Sequence, residues 1–273
     1  MLPNTFPPPP PPPPWPADYS PGVQFSLDGW LRQAWRTFQA RPVPFVLWAL
    51  VLMAPGLAVN LYRLSRGTLL EPSPGPASAE FWTAYFVSLA CTIALIPLQL
   101  GGNLYALSLQ RGHRPPAIKF LQPYGRGLAV AGTLVLVGVL CLGVFLLLLL
   151  PVGFVTSSGT LTRALVGVYL VIALPFTLWI YIYLALGWMF APLLVVDRGL
   201  GPIEAMRGSW YLVHGRRWRM LLLLLLLVLI ALVGLLACFV GTLVTAGLVA
   251  GLYSAAYRDL SVAAGYPDTD PEL

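Results

Sequence analysis

"MLLLLLLLVLIALVGLLACFVGTLVTAGLVAGLYSAAY", residues 220–257, is a run of 38 residues without a single charge. As one α-helix it would be about 57 Å long at 1.5 Å per residue, nearly twice the roughly 30 Å hydrocarbon core of a bilayer. The run must therefore turn back on itself. Its central glycine, Gly241, marks the expected break, giving spans at about 220–239 and 242–257. A transmembrane barrel would need segments of roughly ten residues alternating apolar and polar, and the leucine run 221–227 does not alternate.

The rest of the chain has the same character. Hydrophobic residues make up 58%, charged residues only 10%, and mean hydropathy is +0.79, against about 25% charged in a soluble domain. Four further apolar stretches are long enough to cross a bilayer, at about 43–62, 81–107, 128–152 and 164–196. The expected fold class is all-α, a polytopic membrane protein of six transmembrane helices. The membrane domain occupies 26–260, between a disordered proline-rich tail (1–25) and a disordered acidic tail (261–273). Residues 7–14 are eight consecutive prolines, a polyproline II spacer or a ligand for a proline-recognising domain. Residues 1–16 carry neither the basic nor the apolar region of a signal peptide.

Within the spans, Pro97, Gly101 and Gly102 predict a kinked, closely packed second helix, and Pro175 and Pro192 interrupt the fourth. Gln99 and Asn103, four residues apart, are the candidate intramembrane polar contacts. Cys91, Cys141 and Cys238 fall in apolar spans without His or acidic neighbours and read as small packing residues rather than a disulfide or metal framework.

Charge sets the orientation. The net charge of +6 is almost wholly arginine, Lys119 being the only lysine, which together with the Ala, Gly, Pro and Leu content suggests a GC-rich prokaryotic genome. Thirteen of the 16 basic residues fall in the tails and in the second and fourth loops, and three in the first, third and fifth. By the positive-inside rule both termini then face the cytoplasm, in a prokaryotic inner membrane, and an even number of spans is required.

Seven of the 26 charged side chains crowd into "DRGLGPIEAMRGSWYLVHGRRWRM", residues 197–220. Gly201 and Pro202 start a helix and Gly215 ends it. On that helix Ile203, Met206, Trp210 and Val213 form an apolar stripe, and Glu204, Arg207, Tyr211 and His214 an adjacent polar stripe. Ala205, Gly208 and Ser209 form a side of small residues. Arg216, Arg217 and Arg219 are positioned for anionic headgroups, at about 1 kcal/mol per basic residue near the surface, and Trp218 is an interfacial anchor.

An amphipathic pattern also precedes the first span. Leu27, Leu31, Ala34, Trp35 and Phe38 take one face, with Arg32, Arg36 and Gln39 opposite, as in a helix lying in the membrane interface. Laying Trp35 over Trp210 aligns Arg32 with Arg207, Ala34 with Ser209 and Arg41 with Arg216. The loop "PAIKFLQPYGRG" (116–127) holds the same place before the third span. Three repeated units are expected from this register, each a cytoplasmic interfacial helix followed by a membrane hairpin, and transporters are often built from such repeats.

Chemistry is sparse. No ionisable residue falls inside the six spans as placed, which argues against a carrier coupled through carboxylates. His113 and His214 are the only histidines, so no multi-histidine metal site can be assembled. Ser209 lacks a nucleophile-elbow glycine pattern, and no phosphate-cradling glycine motif occurs. The expectation is a non-enzyme without cofactor or metal.

"FAPLLVVDRGLGPIEAMRGSWYLVHGRRWRMLLLL" (190–224), the fold-back and "YRDL" (257–260) together resemble a broad group of prokaryotic integral-membrane proteins of unknown function. That group is related to the membrane domain fused to some bacterial glycerophosphodiester phosphodiesterases. The matching positions are Pro192, Asp197, Gly201, Pro202, Ala205, Ser209, Trp210, Tyr257 and Arg258, and the likeness loosens outside 188–260. No stretch here matches the soluble phosphodiesterase domain, so the resemblance implies architecture and membrane location and no activity.

Two functions fit. The first is a scaffold or accessory subunit whose cytoplasmic helices contact the bilayer's anionic headgroups or a cytoplasmic protein partner, with no nucleic acid involved. The alternative is a permease-like component of a small-molecule or lipid transport system. "IEAMRG" (203–208) is similar to the coupling helix of binding-protein-dependent permeases but lacks the Ile-x-Leu-Pro portion that follows it there. A neighbouring ATPase gene would favour the permease.

Overall fold

The computed structural model describes residues 26–65, 78–155, 160–266 and 268. The polyproline tail, most of the first loop, four residues of the third and six of the 13 residues of the acidic tail lie outside them. The described residues form nine α-helices, one 3₁₀ helix and no strand. In order these are α1 (Leu27–Ala40), α2 (Pro42–Ser65), α3 (Ala79–Gln110), the 3₁₀ helix Ala117–Arg126, α4 (Gly127–Val155), α5 (Thr160–Trp188), α6 (Ala191–Arg198), α7 (Pro202–Val213), α8 (Arg217–Leu236) and α9 (Cys238–Ala263).

Among the described residues, five stretches are long and apolar enough to cross a membrane: Pro42–Tyr62, Tyr85–Gln110, Ala117–Val144, Pro175–Arg198 and Arg217–Leu236. The sixth expected span lies in α9, whose Gly, Ala, Thr and Ser residues make it less apolar than its neighbours. Several boundaries move. The break in the 38-residue run falls at Ala237 rather than Gly241, because Gly241 serves close packing instead of a turn. A Cβ on it would lie 2.6 Å from the Gly234 carbonyl oxygen. α9 also continues past residue 260 to Ala263, ending before the left-handed Gly265 (φ 83°). α3 runs through Pro97 and α5 through Pro175 without interruption. The fourth span is instead broken at Met189 and Phe190, so that Pro192 sits in the first turn of α6, where its missing N–H costs nothing.

The chain divides into two compact units, whose described residues lie in 17–127 with 225–273, and in 128–224. In the first, Ser26 caps α1 by accepting the Gly29 N–H at 3.1 Å. Arg41, extended before Pro42, separates α1 from α2. The core gathers Phe38, Phe45, Trp48, Tyr105 and Phe120, with Tyr105 stacked on Phe120 at 4.4 Å between centroids. Trp48 covers Gly102, where any side chain would overlap its ring, and donates its Nε1–H to the Leu98 carbonyl at 2.8 Å. The face of α1 that packs on α9 is Trp30, Ala34, Thr37 and Phe38. Of the face expected to meet the membrane interface, Leu31 and Trp35 are exposed, while Ala34 and Phe38 pack inward, Ala34 against Gly251. Gln110 donates its Nε2–H to the Gly251 carbonyl at 2.8 Å and to Thr37 Oγ1 at 3.3 Å. Ser254 donates to the Asn103 carbonyl at 2.8 Å.

In the second unit, Tyr181 of α5 donates its hydroxyl to the Cys141 carbonyl of α4 at 2.6 Å. α7 docks on α5 and α6. Its buried residues are Ala205, Met206, Ser209, Tyr211, Leu212 and Val213, so the apolar stripe expected to face the membrane does not act as one. Met206 and Val213 turn inward while Ile203 stays exposed.

Each short helix therefore rests on a glycine of a long one: α1 on Gly251, the 3₁₀ helix on Gly101, α7 on Gly187. Gly102, Gly187 and Gly251 each precede an alanine by four residues. Those alanines, Ala106, Ala191 and Ala255, are fully buried. The segments end in Gly112, Gly199 and Gly265, with φ of 85°, 70° and 83°.

Candidate functional site

The charge-rich segment of residues 197–220 is built by three successive stops. Gly199 in the left-handed region ends α6 by donating its N–H to the Val195 carbonyl at 3.1 Å. Gly201 and Pro202 open α7, where the Glu204 carboxylate accepts the Gly201 N–H at 3.4 Å. Gly215 (φ 74°) then turns the chain into α8. Glu204 is thereby engaged in capping rather than in a polar stripe.

α7 is locked from beneath. Ser209, fully buried, donates its hydroxyl to the Gly187 carbonyl at 2.8 Å and accepts the Phe190 N–H at 3.2 Å. Both partners belong to the break between α5 and α6, where the interrupted helix leaves backbone groups to be satisfied. Beside it the Trp210 ring lies over Gly187 and meets Tyr183 edge-on at 5.4 Å and Trp188 at 6.1 Å. The Arg217 guanidinium caps this group, 3.8 Å from the Tyr183 centroid and 4.5 Å from that of Trp210.

The expected site residues therefore part company. Glu204, Arg207, His214 and Arg219 are exposed, and Trp218 beside them is 72% exposed. Trp210 and Arg216 are half-buried. Tyr211 is buried at 9% exposure and does not belong to an outward polar stripe, since it follows the small residues of α7 into the packed side. Arg217 stands against aromatic rings, not with Arg216 and Arg219 as one headgroup cluster. Gln99 and Asn103 form no buried pair either. Gln99 is exposed, and Asn103 is half-buried with its backbone carbonyl bonded to Ser254.

A second polar cluster, which the sequence reading does not assemble, lies in the other unit. Trp30, 2% exposed, donates its Nε1–H to Asp259 Oδ2 at 2.7 Å. Asp268, beyond the end of α9, accepts from Arg258 Nε at 2.8 Å and Nη2 at 2.5 Å through Oδ2, and from Arg111 Nε at 3.3 Å through Oδ1. The Arg111 side chain is only 1% exposed. Burial holds the Asp259 carboxyl above the usual carboxylate range, against the Trp30 hydrogen bond and the Arg258 charge, while the Asp268 charge adds to the rise. Burial pushes Asp268 upward too, but its hydrogen bonds and charge pairing with Arg258 and Arg111 outweigh it and hold the carboxyl below the usual range. The signal in the sequence was "YRDL" at the exit of an uncharged run; what brings Arg111 to it is tertiary packing.

Residues 27–269 match the family model described as "Domain of unknown function (DUF7847)", and the chain belongs to that family. No curated protein and no solved structure matches it.

Proposed function

We propose that this member of the DUF7847 family is a non-enzymatic, six-span protein of a prokaryotic inner membrane, with both termini cytoplasmic, whose surface helices dock anionic headgroups or a protein partner. The observation that carries the reading is the construction of its short helices. Each is fixed by its small or aromatic face to a glycine of a long apolar helix. Each leaves bulky apolar side chains outward: Leu31 and Trp35 on α1, Ile118, Leu121 and Tyr124 on the 3₁₀ helix, and Ile203 on α7. Arg32, Arg36 and Arg207 are exposed on the same helices. Held backbones with outward aromatics and cations suit the headgroup layer.

The parity of the spans is supported within one unit. The Trp30–Asp259 and Arg111–Asp268 contacts bring the start of α1, the end of α3 and the chain end together, as expected if all three face the cytoplasm. Three repeated units are part of the proposal. Their register now includes the Gly-x-x-x-Ala pairs that begin at Gly102, Gly187 and Gly251, the last two of which seat α7 and α1, as well as the Trp35 and Trp210 alignment. Kinship with the phosphodiesterase-linked membrane domains is likewise proposed, on the residues named for that resemblance.

The test is cysteine accessibility in intact cells and inverted vesicles, followed by headgroup binding. Ser209 is buried and makes a poor probe, so His214→Cys and Arg207→Cys are used, with Ser65→Cys for the opposite side. Cytoplasmic labelling at 207 and 214 with external labelling at 65 is expected. Removing Arg207 and Arg219 together should weaken binding to vesicles containing phosphatidylglycerol by about thirtyfold, near 1 kcal/mol per charge at the surface. External labelling at 214, or binding that does not depend on these arginines, refutes the reading.

A further inference from the structure

The cluster at the ends of α3 and α9 contains none of the arginines of the charge-rich segment. We propose that Arg111 and Arg258 form an oxyanion seat whose resident occupant is Asp268 of the same chain, and that the seat takes a phosphate group when this carboxylate withdraws. Both oxygens of the occupant are addressed, Oδ2 by two nitrogens of Arg258 and Oδ1 by Arg111. Guanidiniums arriving from two helices in this manner suit a carboxylate or a phosphate equally.

Burial separates Arg111 from the occupant. Its side chain is 1% exposed, whereas Asp268 is 30% exposed, much as Arg258 is at 29%, and belongs to no helix. The cations are fixed by the ends of α3 and α9, while the anion reaches them across the Gly265 turn from the chain end. Asp259 does not replace it directly, because its Oδ2 is taken by Trp30 at 2.7 Å. Withdrawal of Asp268 takes one negative charge from beside a nearly buried guanidinium, and an incoming anion restores it. A phosphate, with more charge and more acceptors than a carboxylate, is the ligand chemistry that fits, whether it comes from a lipid headgroup or from free phosphate.

The experiment uses the full chain in nanodiscs of phosphatidylcholine. Binding of inorganic phosphate is measured by calorimetry, and retention of phosphatidic acid doped into the disc by native mass spectrometry. Asp268→Asn should raise the affinity for at least one probe roughly tenfold, the effect of about 1.4 kcal/mol. Adding Arg258→Gln should abolish the gain, and Asp268→Glu should leave wild-type affinity. A gain for phosphatidic acid alone identifies a headgroup; a gain for inorganic phosphate identifies a soluble ligand. On the unaltered chain, phosphate at constant ionic strength should speed carboxypeptidase trimming past residue 268, and chloride should not. No gain in Asp268→Asn, a gain that survives Arg258→Gln, or trimming indifferent to phosphate overturns the proposal.

Discussion

The seat of α7 on α5 can be tested at a single atom. Alanine at Gly187 would place its Cβ inside the Trp210 ring, with even the third-nearest ring carbon at 3.3 Å. Two effects oppose each other. Replacing a helical glycine by alanine is worth about 0.8–1.0 kcal/mol in backbone propensity, whereas overpacking a filled site costs about 1–3 kcal/mol. The ring cannot simply rotate away, since Tyr183, Trp188 and Arg217 hold it. Gly187→Ala should therefore destabilise by up to about 2 kcal/mol. In a Trp210→Ala background the overlap is gone, and the same change should stabilise by close to the propensity gain. The coupling between the two positions is then about 1–3 kcal/mol. Gly143→Ala in α4, where nothing lies within 4 Å, serves as the control and should be stabilising in both backgrounds. Equilibrium unfolding in mixed micelles, followed by far-ultraviolet circular dichroism, measures all four combinations. A coupling below about 0.5 kcal/mol, the scatter expected of independent sites, would refute the close-packed seat.

Ser209→Ala removes both the donor to Gly187 and the acceptor for the buried Phe190 N–H, and should cost about 1–3 kcal/mol in the same assay; Ser209→Thr and Ser209→Gly report whether space or hydrogen bonding decides. The charged cluster predicts an optimum in pH. Asp268, held low, contributes stability that is complete above the ordinary value of about 3.9 and lost as pH falls through its folded value beneath that. Asp259, held high, binds its proton more tightly in the folded state, so stability rises as pH falls from neutral through its folded value and levels near the ordinary one. The apparent Tm in detergent should therefore climb on mild acidification and drop below about pH 4. Asp259→Asn should flatten the climb and Asp268→Asn the drop; a profile unchanged by both variants would contradict the assignment.

Helix content and the apolar stretches long enough to cross a bilayer were legible in the sequence because length and hydropathy decide them. The uncharged run of residues 220–257 required a fold-back, and α8 and α9 divide it. Gly241 misleads about the position of that break because glycine serves two purposes. It permits a turn, and it also permits two backbones to approach, which is its use beside Gly234. The charged cluster was illegible for a different reason. Arg111 and Asp268 are separated by 157 residues, and each alone looks like a solvated charge next to a membrane span. Periodicity carries no information about such a pairing.

The way the apolar residues of α1 and α7 divide between packed and exposed sides has one physical cause. In a soluble protein the apolar stripe of a helix meets the core, so hydrophobicity marks the protein side. Where the surrounding medium is itself apolar, hydrophobicity gives no preference between lipid and protein, and close approach of backbones decides. On α1 the large Leu31 and Trp35 are left outside, while Ala34 and Thr37 turn in. On α7 Ile203 is left outside, while Ala205 and Ser209 turn in. Small residues thus mark the points of closest approach on the packed side, with Trp30, Phe38, Met206 and Leu212 buried around them, while Leu31, Trp35 and Ile203 stay exposed. The glycines that receive them follow the same rule, since Gly187 and Gly251 are useful only where another helix must come close. Read this way, the register that aligns Ala34 with Ser209 is the register of two docking points, and the aligned tryptophans differ in use, Trp210 filling the Gly187 seat and Trp35 standing exposed.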